Sequence, residues 1–462
     1  MAGLALSLAA VISVLAFGGE EALHFMPAQL ILLAAAFWRF WKEGWPLKGR
    51  LGSGLLAILV AIPLLQIIPL PNAILDLLAP GRMNLVQEFA ATGAGVQLPS
   101  TMSLHSYATR SALLRLLCYL MAFLIAYQSY QLGQGRRILS RTLIALGIIE
   151  AIYGMVQFLT GWQFIYTYPK TSSFTMASGT YVNYNHFAGL LEMVLPFLVV
   201  QSWLHPQHGS SQERSRTWRQ LLSGSQLPRW MLHFGLLLVV FLALIFSQSR
   251  SGILAGIAGV IVSGALALPK GSRGRALLGG GVIVGLLLVY STWIGLTPVL
   301  DRFESLNFQS QAEQSRIVIW KDTLSLIRDF PIFGSGLGTF SSVSLRYQTM
   351  PVTVRYEHAH NDYLEFAAEI GIAVALILFG SLWVIVIRVA KKSISLDRWS
   401  EKRLAAACAG AMTALLLHGL TDFNLQIPAN ALIFSWIAGT AACLTSRRVS
   451  ETPVIPPAPS RH

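Results

Sequence analysis

The strongest chemical signal in the sequence is a pair of histidines in the segment 357–363. His358 and His360 are separated by one residue, and Asn361 follows directly. Two histidines at this spacing share a face in an extended segment but diverge on a helix. Histidine can accept a proton from a hydroxyl group near neutral pH, and Asn361 can cap a helix that follows. An interfacial polar cluster and half of a metal site are the alternatives. We discount the metal because no third ligand lies nearby in sequence.

Arg250 is the first candidate for binding an anion. It lies in the short segment 247–252, which joins two apolar stretches with almost no loop between them. A charge at such a membrane boundary is costly unless it is paired, solvated or functional. A guanidinium binds phosphate through two parallel hydrogen bonds and keeps its charge at every physiological pH. An interfacial anchor and an anion site are therefore both open for this residue.

Arg316 opens a segment with the pattern of an amphipathic helix. The apolar residues of this segment recur three or four positions apart and are Ile317, Trp320, Leu324 and Ile327. Pro331 ends the pattern, because the residue before proline avoids the helical region. We predict a helix that lies on the membrane surface or on the membrane spans. Arg316 then lies beside its apolar face, where it either faces solvent and lipid or takes part in a site.

Other polar motifs accompany these residues. Three alternating glycines at 334, 336 and 338 would let backbone N–H groups approach a phosphate. No strand pattern precedes them, so a tight turn is the preferred interpretation. Two further polar clusters, 183–186 with Asn185 and 418–424 with Asp422, are expected near the same end of their spans. Asp422 would orient a histidine or pair with an arginine.

The rest of the sequence is apolar. Of 462 residues, 54% are hydrophobic and 12% are charged, whereas globular domains carry about 25% charged residues. The net charge of +13 is compatible with nucleic-acid binding, but we exclude that class because the basic residues form short clusters between apolar stretches. The three cysteines fall inside apolar stretches and show no disulfide or zinc spacing. These features predict a multi-pass membrane protein.

We predict an all-α, polytopic integral membrane protein with about twelve transmembrane helices, each of about 17–25 residues. The spans are 3–19, 24–41, 51–71, 111–129, 138–159, 186–204, 230–248, 251–268, 277–296, 364–388, 404–420 and 429–446. The distribution of Lys and Arg puts both termini in the cytoplasm. One long loop, 297–363, then lies on the opposite side between spans nine and ten. The membrane domain covers 1–448, and the proline-rich tail 449–462 is predicted to be disordered.

Taken together, the motifs resemble the O-antigen ligase and polymerase superfamily of bacterial membrane glycosyltransferases. The resemblance covers about residues 175–430, and the N-terminal third is similar only as hydrophobic spans. It rests on Ser249–Gly252, on Arg316-x3-Trp320 leading to 329–340, on 358–364, and on His418 with Asp422. The ligase branch has His, then Asn, Ser or Gln, nine residues, Gly, two residues and Thr. His360, Asn361 and Gly371 fit this motif, but Val374 stands where the ligases have Thr.

The resemblance implies a GT-C-like membrane enzyme of the bacterial inner membrane, with its active site on the periplasmic side. Family members transfer a glycan from undecaprenyl diphosphate by inverting displacement, without a metal, nucleotide or other cofactor. On the matching positions, His360 would be the base, and Arg250 and Arg316 would bind the diphosphate and stabilise the leaving group. The predicted substrate contacts are Asn361, His358, Tyr363, Asn185, Trp320 and Asp422.

The acceptor stays open at this stage. A ligase uses lipid A–core, a polymerase uses a growing lipid-linked glycan or exopolysaccharide, and a protein O-oligosaccharyltransferase uses Ser or Thr of a secreted protein. A transporter of the same lipid-linked sugars is an alternative of a different class. Transporters often show internal repeats and charges near the membrane midplane, whereas this sequence shows no repeat and its candidates cluster at one face. We therefore prefer an enzyme, and a ligase among the enzymes.

Overall fold

The computed structural model describes residues 2–46, 50–91, 100–131, 137–202, 227–268, 311–350 and 355–446, and these residues are mostly helical. Their α-helices are α1 (Ala2–Leu15), α2 (Ala22–Glu43), α3 (Arg50–Ile67), α4 (Asn72–Leu78), α5 (Pro80–Ala91), α6 (Ser106–Gln131), α7 (Ile138–Thr160), α8 (Tyr184–Ser202), α9 (Leu227–Phe246), α10 (Arg250–Ala267), α11 (Gln311–Asp329), α12 (Phe340–Val343), α13 (Asp362–Ile370), α14 (Ile372–Ser395), α15 (Trp399–His418) and α16 (Pro428–Ser446). In the same ranges, sheet is limited to one antiparallel hairpin, β1 (Phe164–Ile165) with β2 (Tyr168–Pro169).

The helices fit an all-α membrane protein. Six of the described helices, α2, α6, α7, α10, α14 and α16, are long and apolar enough to cross a membrane. Shorter apolar helices comprise α1 and parts of α3 and α9. Each predicted span within the described residues contains α-helix over most of its length, while 277–296 and the tail 449–462 lie outside them. The number of twelve spans and the side on which the long loop lies remain predictions.

The centre of the bundle is formed by α8, α10 and α15, which pack against one another. Gly259 of α10 and Gly410 of α15 meet backbone to backbone, because a Cβ on either residue would press against the carbonyl oxygen of the other. Small residues allow this close approach of helices in membranes, where van der Waals packing drives association. The crossing fixes the end of α15, at His418, beside the start of α10.

A break at Gly371 divides the predicted span 364–388. The chain forms α13 before this glycine and α14 after it, and Gly371 has a φ of 84°. A side chain here would meet the Ile332 carbonyl, so a glycine is required on two grounds. The prediction of one continuous span was wrong at this point. Its apolar pattern runs through the break because both helices bury apolar residues.

The glycine run 334–338 forms the predicted turn, which wraps around the C-terminal end of α13. The N–H groups of Ser335 and Gly336 donate to the carbonyls of Ala368 and Glu369 at 2.9 and 3.1 Å. These donors satisfy carbonyls that the helix end leaves unpaired. They are consequently not available to a phosphate, and the preferred interpretation as a tight turn is confirmed.

The helix predicted after Arg316 is confirmed as α11, and the protein itself covers only part of the predicted apolar face, at Ile327. Ile317 and Leu324 are each 49% exposed, whereas Ile319, Leu326 and Ile327 are buried. The buried residues join a small core to which α13 also contributes. The sequence spacing identified the helix correctly, but contacts with α13 decide which side is covered.

Candidate active site

Asp422 is a fully buried carboxylate on which several predicted site residues converge. Its Oδ1 atom lies 3.6 Å from Nδ1 of His360 and 4.0 Å from Nε2 of His186. Its Oδ2 atom lies 3.6 Å from Nη2 of Arg316. These are ion-pair separations, slightly longer than a hydrogen bond. Residues far apart in sequence therefore meet at one negative charge.

The loop after α15 and the start of α13 hold this arrangement together. The N–H of Asp362 donates to the carbonyls of Gly419 and Asp422 at 2.8 and 3.2 Å. Asn361 caps α13 by accepting from the N–H of Leu364 at 3.1 Å, as predicted, and its Nδ2 donates to the Leu420 carbonyl at 2.8 Å. Because both ends of this amide are occupied by protein atoms, the contacts of Asn361 support a positioning role more than its predicted contact with substrate.

The environment of Asp422 keeps its carboxylate ionised. Burial raises the pKa of a carboxyl, but the interaction with His360 and the positive charge of Arg316 outweigh it. The pKa of Asp422 therefore lies well below its usual range. An ionised Asp422 beside Nδ1 favours a proton on that nitrogen, which leaves Nε2 of His360 as the acceptor for a substrate proton.

His360 has an unusual backbone that a neighbouring tryptophan supports. Its φ is 50°, in the left-handed region that a residue with a β-carbon rarely adopts. Trp320 Nε1 donates to the carbonyl of Ala359 at 3.1 Å and reaches that of His360 at 3.4 Å. Strained backbones of this kind persist where the surroundings hold them, and they concentrate at functional sites. Trp320 thus positions the histidine segment, and these contacts give no support to its predicted role as a substrate contact.

Phe423 contacts three histidine rings and was not singled out from the sequence. His358 stacks on it with centroids 4.1 Å apart and an interplanar angle of 15°. His186 and His360 approach it edge-on, at 4.6 and 4.9 Å. One apolar ring thus sets the spacing between His358 and His360, but the sequence has no marker for such a packing role.

His358 belongs to a separate pair with Glu365, which lies on α13. Its Nδ1 lies 2.7 Å from Oε1 of Glu365, and the other oxygen of Glu365 accepts from the N–H of Ala359 at 2.8 Å. Burial lowers the pKa of an imidazole, but the Glu365 carboxylate raises it, and the pKa of His358 lies above its ordinary value. A histidine that holds its proton more tightly is less available as a base. The tight pairing of His358 with Glu365 therefore favours His360 over His358 as the base.

Arg250 begins α10 at the edge of the same region. Ser249 caps the helix, since its Oγ accepts from the N–H of Gly252 at 3.2 Å. Gly252 lies against His418, because a Cβ there would be 3.3 Å from the His418 ring. His418 in turn lies 2.9 Å from Glu192, and both are fully buried. The start of α10 is thus adjacent to the last residue of α15, four positions before Asp422.

Two predicted substrate contacts, Tyr363 and Asn185, lie outside the cluster around Asp422 or at its margin. The Tyr363 hydroxyl donates to the Leu416 carbonyl at 3.0 Å and accepts from Trp383 at 3.2 Å. Its contacts therefore tie α13 to α14 and α15, and they give no support to a substrate contact. Asn185 is buried in the first turn of α8, directly before His186.

A comparison with protein families tests the resemblance to the O-antigen ligase and polymerase superfamily that the motifs suggested. Residues 235–379 match the family model described as O-antigen ligase. This match supports the O-antigen ligase superfamily as the relationship of the segment. The match includes Arg250, Arg316, His358 and His360, whereas Asp422 lies beyond its end. A search of curated proteins gives no match.

The match to this family model supports an enzyme of the ligase or polymerase type in a membrane. The predicted resemblance is confirmed, and the predicted departure at Val374 can now be located. Val374 is buried on α14 in a small apolar cluster with Leu59 and Ile370. This contact set belongs to helix packing, and Val374 is not among the residues that contact Asp422.

Proposed function

We propose that this protein is a glycosyltransferase of the O-antigen ligase type. It transfers a glycan from undecaprenyl diphosphate to lipid A–core at the periplasmic face of the bacterial inner membrane, with both termini in the cytoplasm. The observation that carries this proposal is that Arg316 and His360 each lie 3.6 Å from the buried carboxylate of Asp422. A base and a fixed cation at one carboxylate suit displacement of a diphosphate.

The proposed reaction is one inverting displacement. Nε2 of His360 accepts the proton of the acceptor hydroxyl, and the hydroxyl oxygen attacks the anomeric carbon opposite the diphosphate. The bond from that carbon to the diphosphate oxygen breaks, and its electron pair stays with the diphosphate. Asp422 stabilises the imidazolium that forms, while Arg250 and Arg316 stabilise the charge that develops on the leaving group.

Arg316 retains donors for this task despite its ion pair. Its side chain is 27% exposed, and only Nη2 approaches Asp422, at a distance longer than a hydrogen bond. A guanidinium carries five N–H donors in a planar fork, so Asp422 leaves most of them for phosphate oxygens. In the proposed ground state, Asp422 orients both Arg316 and His360.

A transfer assay with purified protein tests the proposal. The protein is given an undecaprenyl-diphosphate oligosaccharide in EDTA, with or without lipid A–core, alongside His360→Ala and Arg316→Gln. Arg328→Gln is the matched control, because Arg328 is an exposed arginine on the same helix. Product that requires lipid A–core and is lost only in the two site variants supports the ligase.

The other outcomes separate the remaining candidates. Growth of the donor glycan without lipid A–core would identify a polymerase. Transfer to neither acceptor by a protein that still binds the donor would contradict the ligase, and it would favour a protein acceptor or a transporter.

A further inference from the structure

A polar cavity of about 330 Å³ lies on the His358 side of the site. Its charged and titratable lining residues include Glu20, Arg115, Arg355, His358, Glu365 and Glu369. The proposed mechanism uses none of them directly. His358 nevertheless links the cavity to the mechanism, because His358 and His360 contact the same Phe423 ring.

Two lining residues carry buried polar atoms without a partner among the described residues. Glu369 is 1% exposed, and its Oε1 accepts from the N–H of Phe340 at 3.0 Å, while Oε2 has no partner. Nε2 of Gln426 is likewise buried and unpaired. Buried polar atoms of native proteins are nearly always satisfied, so such atoms indicate a missing ligand or water. A sugar hydroxyl can donate to Oε2 and accept from Nε2 at once.

An apolar groove of about 170 Å³ meets this cavity between α3, α6, α14 and α16. Its lining includes Leu56, Leu59, Leu120, Phe123, Leu382 and Phe434. Arg115 and Gln426 line both the groove and the polar cavity, so the two spaces adjoin at these residues. Together, the two spaces form an apolar groove between membrane helices, with the cationic Arg115 at its end and the polar cavity beyond it.

Arg115 is the residue at this junction that indicates a bound ligand. It lies within α6, a helix that can cross a membrane, and its side chain is partly buried. Among the described residues, no carboxylate lies within 4.0 Å of its guanidinium. An ionisable residue within a span is costly and typically marks a substrate pathway or pairs with an anion. A phosphate suits a guanidinium through two parallel hydrogen bonds.

We propose that Arg115, Gln426 and Glu369 form a second lipid site, which binds a polyprenyl-phosphate-linked saccharide. The hydrocarbon chain lies in the groove, the phosphate pairs with Arg115, and the first sugar occupies the polar cavity. A groove of this volume takes part of one chain, which suits a single-chain lipid. This inference rests on the proposed function only for the identity of the lipid. The lipid at Arg115 would bind in addition to the donor, which Arg250 and Arg316 would hold.

Native mass spectrometry of the purified full chain with undecaprenyl phosphate tests this site. The wild type is expected to bind two lipids. Arg115→Gln is expected to weaken the second binding event at least tenfold, and Leu382→Trp is expected to do the same by filling the groove while Arg115 remains. Arg110→Gln is the control, because Arg110 is an exposed arginine on the same helix. Undecaprenol, which lacks the phosphate, should be insensitive to Arg115→Gln.

Several results would overturn the second site. They are a single bound lipid in the wild type, an Arg115→Gln protein that binds like the wild type, and inorganic phosphate that displaces the second lipid at equal concentration. The last result would identify a free-phosphate site. Two bound lipids, of which only the second depends on Arg115, on a protein that transfers no glycan would contradict the proposed function and leave this inference standing.

Discussion

The ring of His358 lies 2.7 Å from the carboxylate of Glu365, whereas the ring of His360 stands 3.6 Å from Asp422. Two histidines separated by one residue therefore have different carboxylate partners and different surroundings. His358 is tightly hydrogen-bonded to Glu365 of α13, and His360 is oriented by a charge without a close hydrogen bond. This difference leads to separate expectations for the two residues.

Replacing His360 should remove the proposed catalytic base without disrupting the fold. Positioned general bases contribute about 100- to 10,000-fold to rate, so we expect His360→Ala to lower kcat for glycan transfer by at least about 100-fold. His358→Ala should have a smaller effect on kcat. The measurement is the initial rate of transfer with purified variants at saturating donor. Equal losses in both variants would contradict the assignment of the base to His360.

The ion pair between His358 and Glu365 should make stability depend on pH in a known direction. The pKa of His358 is raised in the folded protein, so the pair contributes fully below the unfolded value of about 6.5. Its contribution is lost as pH rises through the folded pKa. We expect the difference in Tm between wild type and His358→Gln to be larger at pH 6 than at pH 8.5. His105→Gln replaces an exposed histidine and serves as the control. A difference that grows with pH would contradict the ion pair.

Asp422→Asn should separate catalysis from binding of the donor. The substitution keeps the size of the side chain but removes the charge that faces His360 and Arg316. We expect transfer to fall by about 100-fold or more, because the imidazolium loses its stabilising partner. Donor binding should persist, since Arg316 is then released from its ion pair. Asp397→Asn, at an exposed position, is the matched control. Transfer rate and donor affinity are measured on the same preparations, and unchanged transfer would contradict the role of Asp422.

The crossing of α10 and α15 should tolerate no added side chain. Gly410→Ala introduces a Cβ against the Gly259 carbonyl, whereas Gly380→Ala introduces one into open space. Overpacking typically costs about 1–3 kcal/mol. We therefore expect a lower Tm for Gly410→Ala and an equal or higher Tm for Gly380→Ala, because alanine favours a helix interior over glycine. Both are measured by thermal unfolding in detergent. A Gly410→Ala protein as stable as the wild type would show that the two helices can separate at little cost.

Much of the fold could be predicted because membrane helices are recognisable in the sequence as long apolar stretches. Apolar stretches located the described helices, and the residue types around Asn361 and Gly334 identified a cap and a turn. The break at Gly371 was missed because the apolar pattern continues across it. Of the predicted apolar face of α11, Ile327 is buried and Ile317 is exposed, because tertiary contacts, and not spacing alone, decide which apolar residues the protein covers.

The candidate site was partly predictable, since its charged and polar residues stand out from apolar surroundings. Arg250, Arg316, His360 and Asp422 were selected in this way. Arg115 was overlooked because it lies inside a predicted span and its neighbours, such as Gln426, come from the other end of the chain. Phe423 was overlooked because its role is to separate rings, and no residue type signals that role.

The turn at 334–338 has a consequence for how the substrate range can change. The N–H groups of Gly334, Ser335, Gly336 and Leu337 all donate to protein acceptors, two of them at the end of α13. Anion recognition at this face would therefore depend on side chains and not on a backbone cradle. A backbone cradle can be altered only by rebuilding a loop, but a side chain is exchanged by a single codon change. If Arg115 and Arg316 bind substrate as proposed, point mutations at these positions are a direct evolutionary route to new donors and acceptors on an unchanged scaffold.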